Sequence, residues 1–202
     1  MPQPKKPYLT AITTRYPASK TLTTHFKSLA KKDAKGKVLH GHLEEKGFKA
    51  VAGDKGVFGF TNTYRSTDGK STTIDCRVQS YNKTGGDTAA MVVVTASSGK
   101  NTEEYKCILV APKGNIDKAS EFKLDARSRV VRAHSWWSCV KKYLKSKCAT
   151  ACITALVTCK GDFVTYLACV AGLCGGCFLK YSACCSCNCK FWCKWAVGCC
   201  KK

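Results

Sequence analysis

The alternation of apolar and polar positions changes period along the chain. From Leu22 to Glu45, Phe26, Leu29, Val38, Leu39 and Leu43 fall at weakly helical spacing, and Gly36 and Gly41 lower the helix propensity there. From Phe48 to Arg132, β-branched and aromatic runs are punctuated by Gly, Asn, Asp and Ser clusters, which predicts five short antiparallel strands. Ile74, Cys76, Val78 and Ser80 alternate with Asp75, Arg77 and Gln79, so that strand has one packed and one polar face. Residues 82–87 (NKTGGD) make a turn, and residues 88–95 (TAAMVVVT), apolar in both phases, predict the central strand. Glu104 to Ala111 returns beside it. Phe122, Leu124 and Ala126 alternate with Lys123, Asp125 and Arg127 in a last strand.

After Trp136 the helical period returns. Cys148, Cys152, Ala155, Leu156 and Cys159 share one helical face. Phe163 to Leu179 is a run of seventeen residues without a charge. As one helix it would reach about 25 Å, short of the ~30 Å hydrocarbon core of a bilayer. A helix ending near Gly172, followed by a turn at Cys174-Gly175-Gly176-Cys177, fits its glycines better. A third segment, Cys177 to Cys200, gathers Cys184, Cys185, Cys187, Cys189 and Cys193 around Phe191, Trp192 and Trp195.

These patterns predict an α+β class: an antiparallel β-rich N-terminal domain followed by a small helical, disulfide-rich C-terminal module. The expected divisions are a flexible arm and weak helix over 1–47, the β domain over 48–133, and the Cys-rich module over 134–202. The first twenty residues, rich in Pro, Lys and Thr, read as the mobile arm. His25, His40 and His42 have no acid and serine arrangement around them and read as surface residues. No paired carboxylates, activated nucleophile or phosphate-cradling loop stands out, so the expectation is a protein that is not an enzyme and needs no cofactor.

Cysteine distribution sharpens the division. Of 16 cysteines in 202 residues, only Cys76 and Cys107 precede Cys139. In a meander those two lie two strand spacings apart, about 9.5 Å, beyond the ~7 Å that a disulfide allows. They are expected to be reduced core residues. The other fourteen are Cys139, Cys148, Cys152, Cys159, Cys169, Cys174, Cys177, Cys184, Cys185, Cys187, Cys189, Cys193, Cys199 and Cys200. A segment this short cannot stabilise itself by burial alone, and an even set of thiols there predicts a disulfide framework whose pairing spacing cannot give. Two alternatives stay open. Clustered thiolates at Cys174, Cys177 and Cys184 to Cys189 suit a soft metal, and the Cys174–Cys177 pair resembles a thiol-disulfide exchange site.

Charge then narrows the partners. The chain carries a net +21, and its last 64 residues hold ten Lys and one acid, Asp162. Basic chains seek anionic lipid, phosphate polymers or acidic proteins. No helix-turn-helix or aromatic RNA-binding signature accompanies the charge, so no specific nucleic acid is expected. A stapled helical module with Lys and Trp has the balance of a membrane-active peptide. Lys141, Lys142, Lys145, Lys147, Lys190, Lys194, Lys201 and Lys202 would meet an anionic membrane surface, and Trp192 and Trp195 would anchor an apolar face. The alternative for the tryptophans, Trp136 and Trp137 included, is that they pack a small core.

The array Cys139, Cys148-Ala149-Thr150-Ala151-Cys152, Cys159, Leu167-Ala168-Cys169, Cys174-Gly175-Gly176-Cys177 and the closing cluster resembles the C-eight type halocin family of Cys-rich bacteriocins. The resemblance covers about residues 134–202. It implies an antimicrobial peptide released from the C-terminal end of a precursor by a processing protease acting near His134 and Ser135. It also implies an N-terminal part that serves as a propeptide or protects the producer. The precursor would be cytoplasmic and the product secreted, by a route left open because no secretory or twin-arginine signal is legible.

Overall fold

Alternating strands need cover on every face that carries apolar side chains, and here one sheet is covered on both sides. A computed structural model describes residues 9–66, 69–133, 136–174 and 176–186. Strand β1 (Leu9–Arg15) leads into helices α1 (Ser19–Lys32) and α2 (Ala34–Glu45). Strands β2 (Lys49–Ala50), β3 (Val57–Ser66), β4 (Ser71–Asn82), β5 (Thr88–Ser98), β6 (Asn101–Ala111), β7 (Ser120–Leu124) and β8 (Val130–Ala133) follow. Helices α3 (Trp136–Lys147), α4 (Thr150–Thr158), α5 (Phe163–Cys174) and α6 (Gly176–Ser186) complete the described chain.

The eight strands form one sheet in the order β1-β3-β4-β5-β6-β7-β8, with β2 pairing β4 beyond the end of β3. Every pairing is antiparallel, and β3 to β8 run as a meander, so the class is α+β as the residue pattern predicts. Strand β5 explains its own sequence. Ala90, Val92, Val94 and Ala96 point to a core shared with α3 to α6, while Ala89, Met91 and Val93 point to a second core under α1 and α2. Both phases are apolar because both faces are dry.

Cys76 opposes Val94 and Cys107 opposes Val92 across β5, and both thiols are free and fully buried. Burial pushes both pKa values well up, which leaves them inert at neutral pH.

Three local features differ from expectation. Leu9–Arg15 is an edge strand paired with β3, from Leu9↔Ser66 to Arg15↔Thr61, and not part of a mobile arm. Its Thr and Ile residues favour extended backbone, a signal the surrounding Pro and Lys obscure. Between residues 48 and 133 there are seven strands where five are expected, because β2 and β8 are only 2 and 4 residues long. The expected last strand is really β7, a turn and β8. Asp125 makes that turn by accepting the backbone amides of Arg127 and Arg129, each at 2.9 Å. The three histidines are half-buried and not free at the surface. His40 Nδ1 lies 3.1 Å from the Tyr81 hydroxyl.

The helical region over 22–45 is two helices broken at Asp33. The Asp33 carboxylate accepts the Gly36 amide at 2.6 Å, capping α2, and meets Lys106 Nζ of β6 at 2.9 Å. Gly36 sits where the two helices touch, and a Cβ there would lie 2.5 Å from Leu29 Cγ. That glycine serves close packing, at a cost in helix propensity.

Candidate functional site

The described part of the Cys-rich segment folds as four short helices, and its amphipathic pattern says which side must be covered. On α3, Trp136, Trp137, Val140 and Leu144 are buried, while on α5 Phe163, Val164, Tyr166, Leu167 and Val170 are. These residues form one continuous core with Phe60, Tyr64, Ile74, Cys76 and Val78 of the sheet. The division at residue 133 therefore separates two stretches of chain that share a hydrophobic core. Phe178 of α6 meets Phe60 of β3 edge-on, with ring centroids 5.9 Å apart.

Among the described residues four disulfides tie the helices together: Cys139–Cys185, Cys148–Cys177, Cys152–Cys174 and Cys159–Cys169, with Cα separations of 5.7, 6.1, 4.9 and 5.8 Å. They join α3 to α6, the α3–α4 link to α6, α4 to α5, and the residue just after α4 to α5. Removing such a bridge typically costs a small stapled domain about 2–5 kcal/mol. Cys184 is disulfide-bonded as well. Cys187, Cys189, Cys193, Cys199 and Cys200 lie outside the described residues, as do His134, Ser135, Lys190, Trp192, Lys194, Trp195, Lys201 and Lys202.

The helix termini nearest the sheet are held by sheet side chains. Glu121 of β7 is 3% exposed, and its two carboxylate oxygens accept the first amides of α3, Trp136 N at 3.0 Å and Trp137 N at 2.9 Å. The Tyr105 hydroxyl donates to the same carboxylate. A buried carboxylate at a helix N-terminus satisfies orphan amides and meets the positive end of the helix dipole. Ser80 of β4 does the same for α5, its hydroxyl accepting Val164 N at 3.2 Å. The indole nitrogen of Trp136 donates to Ser182 O at 2.9 Å, linking α3 to α6 inside the module.

Sequence reasoning misses Glu121, which shares its phase with the polar residues of its strand and lies fifteen residues from Trp136. Asp162, the single acid of the last 64 residues, has a local role. Its carboxylate accepts the Thr165 amide at 2.8 Å at the start of α5, a cap readable from the Asp-x-x-Thr spacing.

Of the expected membrane-facing lysines, Lys142, Lys145 and Lys147 are exposed. Lys141 is half-buried: its ammonium donates to Asp117 O at 2.8 Å and lies 5.7 Å from the Trp137 ring centre, and burial lowers its pKa. Trp136 and Trp137 pack the core, 0% and 1% exposed, in line with the core alternative for this pair. The expected break in the long apolar run is present, since α5 and α6 meet at a bend of 109°. Among the described residues no single helix is long and apolar enough to cross a membrane.

The metal alternative pointed to Cys174, Cys177 and the Cys184–Cys189 cluster. Among the described residues the sulfur atoms of Cys148, Cys152 and Cys177 lie within 4.8 Å of one another, with Cys174 bonded to Cys152, while Cys187 and Cys189 lie outside the described residues. In the oxidised chain these sulfurs are taken up in two bridges and cannot ligate. The chain matches no protein-family model, no curated protein and no solved structure.

Proposed function

We propose that the chain is the precursor of a cationic, disulfide-stapled antimicrobial peptide of the bacteriocin kind, with the N-terminal sheet as its built-in cover. The module would be released by a protease cutting near 134–135 and would act, outside the producer, on the anionic membranes of competing cells. The observation that carries this reading is the module's apolar side, Trp136 and Trp137 included, laid on the sheet and held at two helix termini by Glu121 and Ser80. Apolar surface that would otherwise enter a bilayer is spent on an intramolecular contact while the chain is whole. A producer could then make the peptide in a harmless form.

The test keeps the full chain. A protease recognition sequence placed at 134–135 allows dye release from anionic vesicles to be compared before and after cutting, with both forms diluted far enough for the cut pieces to part. Release should rise at least tenfold on cutting. Equal release before and after would remove the covering role, and no release in either state would remove the membrane activity.

A second reading follows from the convergence of Cys148, Cys152 and Cys177, with Cys174 bonded to Cys152. In a reducing compartment thiolates gathered there would suit zinc or another soft metal. Intact mass under non-reducing conditions separates the two, since each bridge removes two hydrogens whereas bound zinc adds mass that a chelator takes away.

A further inference from the structure

The core under α1 and α2 is not closed at its edge. Between α1, α2 and the loop after β2 lies a cavity of about 420 Å³, within the ~300–1,000 Å³ range of small-molecule sites. Phe26, Ala30, Val51 and Tyr81 give it apolar walls, and Phe26 and Tyr81 belong to that core. The cavity therefore lies on the face of the sheet opposite the Cys-rich helices.

Hydrogen bonds hold its walls in place. Gln79 of β4 is 6% exposed, and its Nε2 donates to Val51 O at 3.0 Å and to Gly56 O at 2.9 Å. Val51 N donates in turn to Ser80 O at 2.9 Å. These bonds fold residues 51–56 against β4, so tightly that a Cβ on Gly56 would lie 2.0 Å from Val51 O. At α2, His40 Nδ1 lies 3.1 Å from the Tyr81 hydroxyl and His40 Nε2 lies 3.2 Å from Glu44 Oε1. Loop and ring pair are both fixed to β4, so the cavity is formed in advance of any occupant.

Charge selects that occupant. Lys27 and Lys31, one helical turn apart on α1 and both exposed, line the same cavity. Neither has an ion-pair partner among the described residues, and no Asp or Glu is among the residues that line the cavity. Both sit in the C-terminal half of α1, away from its positive end, so the two ammonium groups are the cations on offer. That suits a single negative charge better than a phosphate dianion, which draws on helix amides or a guanidinium fork.

We propose that this cavity binds a small amphipathic carboxylate, an acyl acid of medium chain length. Lys27 and Lys31 take the carboxylate, and the chain packs on Phe26, Ala30 and Val51.

Isothermal titration calorimetry of the intact, oxidised chain with sodium decanoate at neutral pH tests it. Saturable one-to-one binding is expected, at least tenfold weaker for decanol, which lacks the charge, for acetate, which lacks the chain, and for decyl phosphate. The double variant Lys27→Gln, Lys31→Gln, at exposed positions, should bind decanoate at least tenfold more weakly. Ala30→Phe, which fills the cavity, should do the same, with circular dichroism confirming its fold; should it fail to fold, the lysine pair decides. Lys37→Gln, Lys46→Gln removes equal charge from exposed positions outside the cavity and should stay within twofold of the parent. Absence of saturable decanoate binding would overturn the proposal, as would parent-level binding by the Lys27, Lys31 variant or by a folded Ala30→Phe. Equal loss in the Lys37, Lys46 variant would reduce the effect to bulk charge, and equal binding of decanol or decyl phosphate would remove the carboxylate as the recognised group.

Discussion

The carboxylate of Glu121 accepts the backbone amide of Trp137 at 2.9 Å, across the boundary between sheet and Cys-rich helices. With Trp136 N at 3.0 Å on the other oxygen, one buried side chain terminates α3 and fastens it to β7. Bonds to an ionised group contribute about 1.5–3 kcal/mol each, and amides left unpaired in a buried site cost more than amides returned to water.

Glu121→Ala should therefore destabilise the chain by about 3 kcal/mol or more, lowering the thermal midpoint by roughly 6–12 °C at this chain length. Glu121→Gln keeps one acceptor and should lose less. Urea unfolding followed by tryptophan fluorescence gives both numbers. A loss under 1 kcal/mol for the alanine variant would mean the carboxylate is not what holds α3.

Two glycines of α2 should respond in opposite directions to the same substitution. Gly36→Ala places a Cβ 2.5 Å from Leu29 Cγ and 2.7 Å from Leu29 O, so the helices must separate, at a cost of about 1–3 kcal/mol. Gly41→Ala meets nothing within 4 Å and should stabilise by about 0.5–1 kcal/mol through helix propensity. Denaturation midpoints of the two variants against the parent decide it.

His25 gives the sheet an acid-sensitive partner. Burial, with Arg77 adding to it, holds its pKa below the ordinary 6.5, against the smaller pull of Asp75 and Glu104, and its Nε2 is buried without a hydrogen-bond partner. As pH falls from 6.5 toward that lowered value the unfolded chain binds the proton first, so stability drops with pH in that window. The drop should shrink in His25→Gln. Asp33 titrates lower down: burial raises its pKa, but bonds from Lys106 and Gly36 outweigh that and hold it below the ordinary 3.8, so its contribution fades only in stronger acid. Urea midpoints at pH 7, 6 and 5 for parent and variant measure the difference.

Cys76 and Cys107 should resist iodoacetamide at pH 8 in the folded chain and react fully once it is unfolded, because burial withholds the thiolate. Peptide mapping by mass reads each site. Labelling of either cysteine without unfolding would mean the sheet opens locally at its centre.

How far the fold is legible depends on the range of the interaction. Strand β5 announces itself, since an apolar run in both phases has one stable environment, a sheet covered on both faces. The cap at Asp162 is readable because its partner is three residues away. Glu121 is not readable, because its partners arrive through tertiary packing of a later segment. The cysteine pairing shows the same limit. A helical face places Cys148 and Cys152 together, yet they bond to Cys177 and Cys174 respectively, a choice set by how α5 packs against α4 and by the 109° bend from α5 into α6. Local periodicity finds the face, and the crossing of helices selects the partner.

The shared core has a consequence for what a cut between 133 and 136 would do. It would break a single covalent connection and leave every apolar contact across the interface in place. The two pieces would stay together while they are concentrated, because only the tether's contribution to effective concentration is lost. Parting would then be governed by dilution, held back in a crowded cell interior and favoured in the volume outside it.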